Sequence, residues 1–161
     1  MATPIKDSLA ASVAHAFGLM DEFLQLCPEE IWARRFGGWP VWRQFFHSFS
    51  ATDFFLRAEN AAEATSPFGA DAGNLRVAES AAPTPAKETM RKYMEAARKQ
   101  VDDYLAGLDD VALGQINQGL SARMCREYSH AATVALLVGH TMYHLGGCDA
   151  ALRESGRPGV F

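Results

Sequence analysis

The stretch Ala131-Ala132-Thr133-Val134-Ala135-Leu136-Leu137-Val138-Gly139-His140-Thr141-Met142-Tyr143-His144-Leu145 decides how this chain folds. It is almost wholly apolar and predicts the middle of a helix that runs from about Arg126 or Ser129 to Arg153. Of all the helices, this one is expected to be the most buried. At about 100° per residue, Thr133, Leu137, His140, His144, Cys148 and Ala151 fall on one face. His140 and His144 stand one turn apart on it, a spacing that lets two imidazoles grip one metal ion. The bland alternative is a pair of core histidines bonded to nearby carbonyls. Burying an unpaired polar group costs about 1–3 kcal/mol, and a shared metal relieves both rings at once.

The other strongly apolar segment, Val41 to Leu56, belongs to a helix predicted from about Pro40 to Ala62. Trp42, Phe45, Phe46, Phe49 and Leu56 form one stripe, and His47, Ala51, Phe54 and Ala58 a second, with Arg43 and Ser50 at its edge. A helix apolar on two sides sits centrally in a core or partly in a subunit interface. The aromatic stripe therefore motivates a homodimer, unless it is the main bundle core. His47 is either a third ligand or an unconnected buried histidine. The small residues around it leave room for a metal and a bound molecule.

Two further helices complete the pattern. Leu9, Val13, Ala16, Phe17, Met20, Phe23, Leu24 and Cys27 recur at helical steps between about Ile5 and Leu26, and Pro28 ends that run. Met90, Tyr93, Met94, Ala97, Val101, Tyr104, Leu105 and Leu108 do the same in a helix that starts near Thr84-Pro85. Pro28 to Pro40 is a connection. Thr65 to Pro83, rich in Ala, Gly, Pro and Ser, is a surface crossing or a lid over a pocket mouth. The Asn/Gln/Gly content of Leu113 to Met124 suggests a turn or a small hairpin.

The whole chain, 1–161, is expected to be a single domain with a sizeable core. Its net charge of −4, with no cluster of Lys and Arg, argues against a nucleic-acid surface. It has no run of about 20 apolar residues to cross a membrane and no signal-like start, so a cytoplasmic residence is expected. Cys27, Cys125 and Cys148 are odd in number and far apart, which argues against a disulfide framework. Cys148 is a small buried residue or a fourth ligand. His130 lies about 15 Å along the helix from His140 and cannot share its metal. His15 is expected in solvent. Arg43 is read as a surface ion pair or a carboxylate receptor. Tyr143, Tyr128 and Ser50 are possible substrate contacts. No carboxylate stands at a general-base position: Asp53 turns away from the His47 face and Glu127 is far from His140.

Gly38-Trp39-Pro40-Val41-Trp42-Arg43-Gln44-Phe45-Phe46-His47 resembles the start of helix two in the DinB/YfiT-like family of metalloenzymes, with a histidine eight positions after a tryptophan. Pro40 stands where that family usually has Ser. His140-Thr141-Met142-Tyr143-His144-Leu145-Gly146 resembles its last-helix signature, though Tyr143 and Leu145 replace a further His or Arg that is common there. Helix lengths and order match over about residues 5 to 155. The resemblance implies an all-α, up-down-down-up four-helix bundle with a long crossover. It also implies a divalent metal, zinc or nickel, held by His47, His140 and His144, with the remaining positions open to water or substrate. Relatives include mycothiol-dependent maleylpyruvate isomerase and bacillithiol transferases.

The expected function is a metal-dependent enzyme acting on a small molecule, by thiol-dependent transfer or by hydrolysis, with a low-molecular-weight thiol as one partner. The alternatives are a non-catalytic metal- or ligand-binding stress-response bundle and a purely structural helical dimer.

Overall fold

A computed structural model describes residues 4–69, 71–77 and 82–161. The N-terminal Met1-Ala2-Thr3 and parts of the Thr65–Pro83 crossing (70 and 78–81) lie outside the described residues. Among the described residues the chain is all-α, apart from one two-stranded ribbon. In order it forms α1 (Pro4–Leu26), α2 (Glu29–Trp32), β1 (Arg35–Phe36), β2 (Trp39–Pro40), α3 (Val41–Leu56), α4 (Lys87–Ala106), α5 (Asp110–Leu113), α6 (Gln118–Met124) and α7 (His130–Glu154).

The four long helices α1, α3, α4 and α7 enclose one core. Backbones approach most closely between α3 and α7, α1 and α7, α3 and α4, and α1 and α4. The diagonals meet through side chains, as in Phe17 of α1 against Phe49 of α3, with ring centroids 5.1 Å apart. Phe45 sits at the hub. It touches Phe23 at 6.0 Å, Trp32 at 5.5 Å and Phe49 at 5.1 Å. Each such aromatic pair contributes about 0.5–1.5 kcal/mol beyond the area it buries. Trp42, Phe45, Phe46 and Phe49 are all buried within this one chain. The aromatic stripe of helix two is thus bundle core, and it leaves no apolar face there for a second copy.

The most buried helix is α3, not α7. Of the 16 residues of α3, 12 are buried, against 10 of the 25 in α7. The apolar run of α7 continues around to an outer side, where Ala135, Leu136, Gly139 and Tyr143 are exposed.

Several boundaries differ from the sequence reading for clear physical reasons. α3 stops at Leu56 instead of Ala62, because Arg57 turns extended (φ −59°, ψ 135°). The end of α3 is held from α6: Arg123 donates Nε–H to the Phe54 carbonyl at 2.9 Å and Nη2–H to the Arg57 carbonyl at 2.6 Å. The small hairpin lies at 35–40 instead of 113–124. Its turn residues, Gly37 (φ 59°) and Gly38 (φ 97°), supply the two positive φ values a tight hairpin requires. Pro40 is the N-cap of α3, one place before the first helical residue.

In the 113–124 region the Asn and Gly have other uses. Asn117 caps α6 by accepting from the Leu120 N–H. Gly119 lets α6 pack on the end of α3, since a Cβ there would lie 2.3 Å from the Arg57 carbonyl oxygen. α4 begins two residues beyond Pro85, whose carbonyl instead accepts the Trp32 indole N–H at 2.8 Å. Ser129 caps α7 as expected, accepting from the Ala132 N–H.

Candidate metal centre

α3 and α7 lie side by side, and their facing surfaces bring His47, His140 and His144 together. One ring nitrogen from each lies within 4.8 Å of the others. Ring centroids are 5.1 Å apart for His47 and His140, and 4.6 Å for each of the other two pairs. His47 Nδ1–H donates to the Gly73 carbonyl at 2.5 Å, which leaves Nε2 with its lone pair facing inward. That Nε2 is 3.2 Å from His140 Nε2. Two nitrogens bound to one tetrahedral zinc at 2.0–2.1 Å would stand about 3.3 Å apart, so the spacing suits a shared ion.

The electrostatics agree. Burial lowers the pKa of all three rings. Burial, with His47 nearby, takes His140 to about 4; burial, with both other histidines nearby, takes His144 to about 3. For His47 burial dominates, the bond to Gly73 opposes it, and the Arg43 charge adds to the lowering. At neutral pH the cluster is three uncharged imidazoles, the form that ligates metal. His140 Nδ1 is buried with no hydrogen-bond partner among the described residues. The donor set, its protonation and its spacing all fit a divalent cation such as zinc.

An apolar cavity of about 570 Å³ reaches His140 alone of the cluster, and two others reach His47. The larger, about 590 Å³, reaches His47 and His140 and is walled by Phe46, Phe54, Phe55, Tyr93 and Met124. The smaller, about 410 Å³, reaches His47 and His144 between Trp39, Gln44, Arg76 and Tyr143. Described residues of the 57–86 passage line both: Gly73 and Asn74 border each cavity, and Ala64 and Ser66 border the larger. This passage is a wall of the site as well as a crossing.

Arg43 corrects the sequence reading most sharply. It is not at the surface: only 1% exposed, it donates to the carbonyls of Ala72 at 3.3 Å, Asp71 at 3.0 Å and Asn74 at 2.9 Å. It therefore anchors the loop whose Gly73 carbonyl orients His47. The sequence held a signal for this, since Arg43 and His47 are one turn apart on α3. The loop acceptors, about 30 residues further on, carry no side-chain signature.

Asp53 also departs from expectation. It lines the larger cavity with His47 and His140, tied to Arg57 at 3.2 Å. Cys148 is fully buried, its thiol pushed up by burial, and it is not grouped with the three histidines. His130 lies apart, with its Nδ1 accepting from the Tyr104 hydroxyl at 2.5 Å. His15 is exposed. Ser50 borders the larger cavity, Tyr143 the smaller one, and Tyr128 an apolar groove beside His140.

The family profile of the DinB superfamily matches residues 14–147, a span that includes all three histidines. The chain belongs to the DinB superfamily. No curated protein and no solved structure matches it. Among the described residues, no helix is long and apolar enough to cross a membrane.

Proposed function

We propose that this chain is a metal-dependent enzyme that holds one divalent ion, zinc or nickel, on His47, His140 and His144. The ion would serve thiol-dependent transfer or hydrolysis on a small molecule. The observation that carries this reading is the convergence of three neutral imidazoles from two helices on one point beside a cavity of about 590 Å³. A bound ion at such a site acts as a Lewis acid and lowers the pKa of a coordinated water or thiol.

The protein's own part is preparation. Gly73 fixes the His47 tautomer, and Arg43 fixes Gly73. Phe46, Phe54, Phe55 and Tyr93 line part of the larger cavity. The carboxylates at the larger cavity, Asp53 and Glu63, both face Arg57, at 3.2 and 3.6 Å. Three free cysteines suit a reducing compartment, and the reading includes residence in the cytoplasm.

The test is turnover by metal-loaded protein of electrophiles with low-molecular-weight thiols, set against ester and amide probes. Turnover with thiols and loss of it in His140→Ala supports the transferase reading. Metal-loaded protein that turns over neither class supports the alternative, a non-catalytic metal- or ligand-binding bundle.

A further inference from the structure

The two cavities reach the histidines from different sides and differ in charge. The larger carries Asp53 and Glu63 against Arg57, beside Phe46, Phe54, Phe55 and Tyr93. Among the described residues that line it, the smaller has no carboxylate and one cation, Arg76. Every other arginine of the chain has a carboxylate, a carbonyl or an aromatic ring at its guanidinium. The Arg76 guanidinium has none among the described residues; only its backbone N–H is engaged, donating to Asn74 Oδ1 at 3.0 Å. A guanidinium left open at a cavity whose floor is His47 and His144 has the donor fork that pairs with a carboxylate.

We propose that the smaller cavity binds a small carboxylic acid, with Arg76 gripping the carboxylate while a second donor, a thiol or a hydroxyl, reaches the three histidines. This rests on the reading of the cluster as a metal centre and adds the class of molecule it takes. The volume of about 410 Å³ suits a small ligand that spans the two ends. Asn74 and Tyr143 supply further polar groups along the path.

The test uses the full chain loaded with cobalt(II), whose absorption reports a thiolate entering the coordination shell. Mercaptosuccinate and 2-mercaptoethanol are titrated into the native protein, R76Q and R76K. R76Q is expected to weaken mercaptosuccinate by about tenfold or more, the worth of a hydrogen-bonded ion pair, and to leave 2-mercaptoethanol unchanged. R76K is expected to restore part of the loss. R76Q that binds mercaptosuccinate as tightly as the native chain, or that weakens both thiols equally, overturns the inference while the metal centre stands. A native chain that takes up no cobalt overturns the metal reading and this inference with it. Arg76 is exposed, so its replacement leaves the core intact, and an unchanged melting temperature verifies that.

Discussion

His47 is oriented by Gly73: its Nδ1–H meets the Gly73 carbonyl oxygen at 2.5 Å, on a loop that Arg43 holds from one helical turn earlier. Helix α3 therefore supplies both a candidate ligand and the clamp for that ligand's hydrogen-bond acceptor. An imidazole locked in one tautomer is a better metal ligand than a free one, because its lone pair is already aimed.

Arg43→Met should therefore act on the metal as well as on the fold. Metal affinity is expected to fall about 10–100-fold. Stability should fall by about 1–3 kcal/mol for each buried carbonyl left without a donor. Chelator competition measures the first and urea unfolding of the metal-free protein the second. Unchanged metal affinity would show that the loop does not orient His47.

Acid should undo the cluster in a defined window. The folded chain holds His140 at about 4 and His144 at about 3, against 6.5 for a free imidazole. Between those values the unfolded chain binds more protons than the folded one. The stability of the metal-free protein is then complete above pH 6.5. It declines as the pH falls from 6.5 through 4 to about 3. Urea midpoints measured across this range should drop, and the double variant His140→Gln, His144→Gln should flatten the drop. A variant with the same pH profile as the native chain would contradict this.

The long helices and the histidine constellation were legible because each leaves a periodic trace in the chain. His140 and His144 share a face through their own spacing, and Trp39 to His47 marks the partner helix. What escaped the sequence was set by contacts between distant segments. The stop of α3 at Leu56 depends on Arg123, and the burial of Arg43 depends on carbonyls of residues 71, 72 and 74. Asp53 sits a third of a turn off the His47 face, yet it borders the cavity because the chain beyond α3 bends back to form that wall. The Asn/Gly content of 113–124 pointed to a turn, which forms at Gly114, but Gly119 instead serves the close approach of α6 to α3.

That close approach can be tested with two glycines. Gly119→Ala would press a methyl group against the Arg57 carbonyl, and its backbone cannot yield without moving α6. A loss of about 1–3 kcal/mol is expected, as for other overpacked sites. Gly139→Ala meets nothing within 4 Å on an exposed side of α7, and helix propensity alone should make it stabilising by up to about 1 kcal/mol. Thermal unfolding of the two variants reads the contrast. A Gly119→Ala protein as stable as the native chain would remove the α6–α3 packing argument.

A homodimer remains an expectation, and its face moves. The aromatic stripe of α3 is core, whereas the outer side of α7 exposes Ala135, Leu136 (38%) and Gly139, with no charge among them. Sedimentation at micromolar concentration should show a dimer that Leu136→Glu shifts to monomer. A native chain that sediments as a monomer would exclude this.

The central claim is that His47, His140 and His144 hold one metal ion. Elemental analysis of the purified protein, with His144→Ala prepared in parallel, tests it most directly. The expected result is one zinc or nickel per chain in the native protein and loss of that metal in the variant, with the helical circular dichroism of both retained. Native protein without first-row metal and without affinity for added zinc or nickel, or a variant that keeps its full complement, would contradict it.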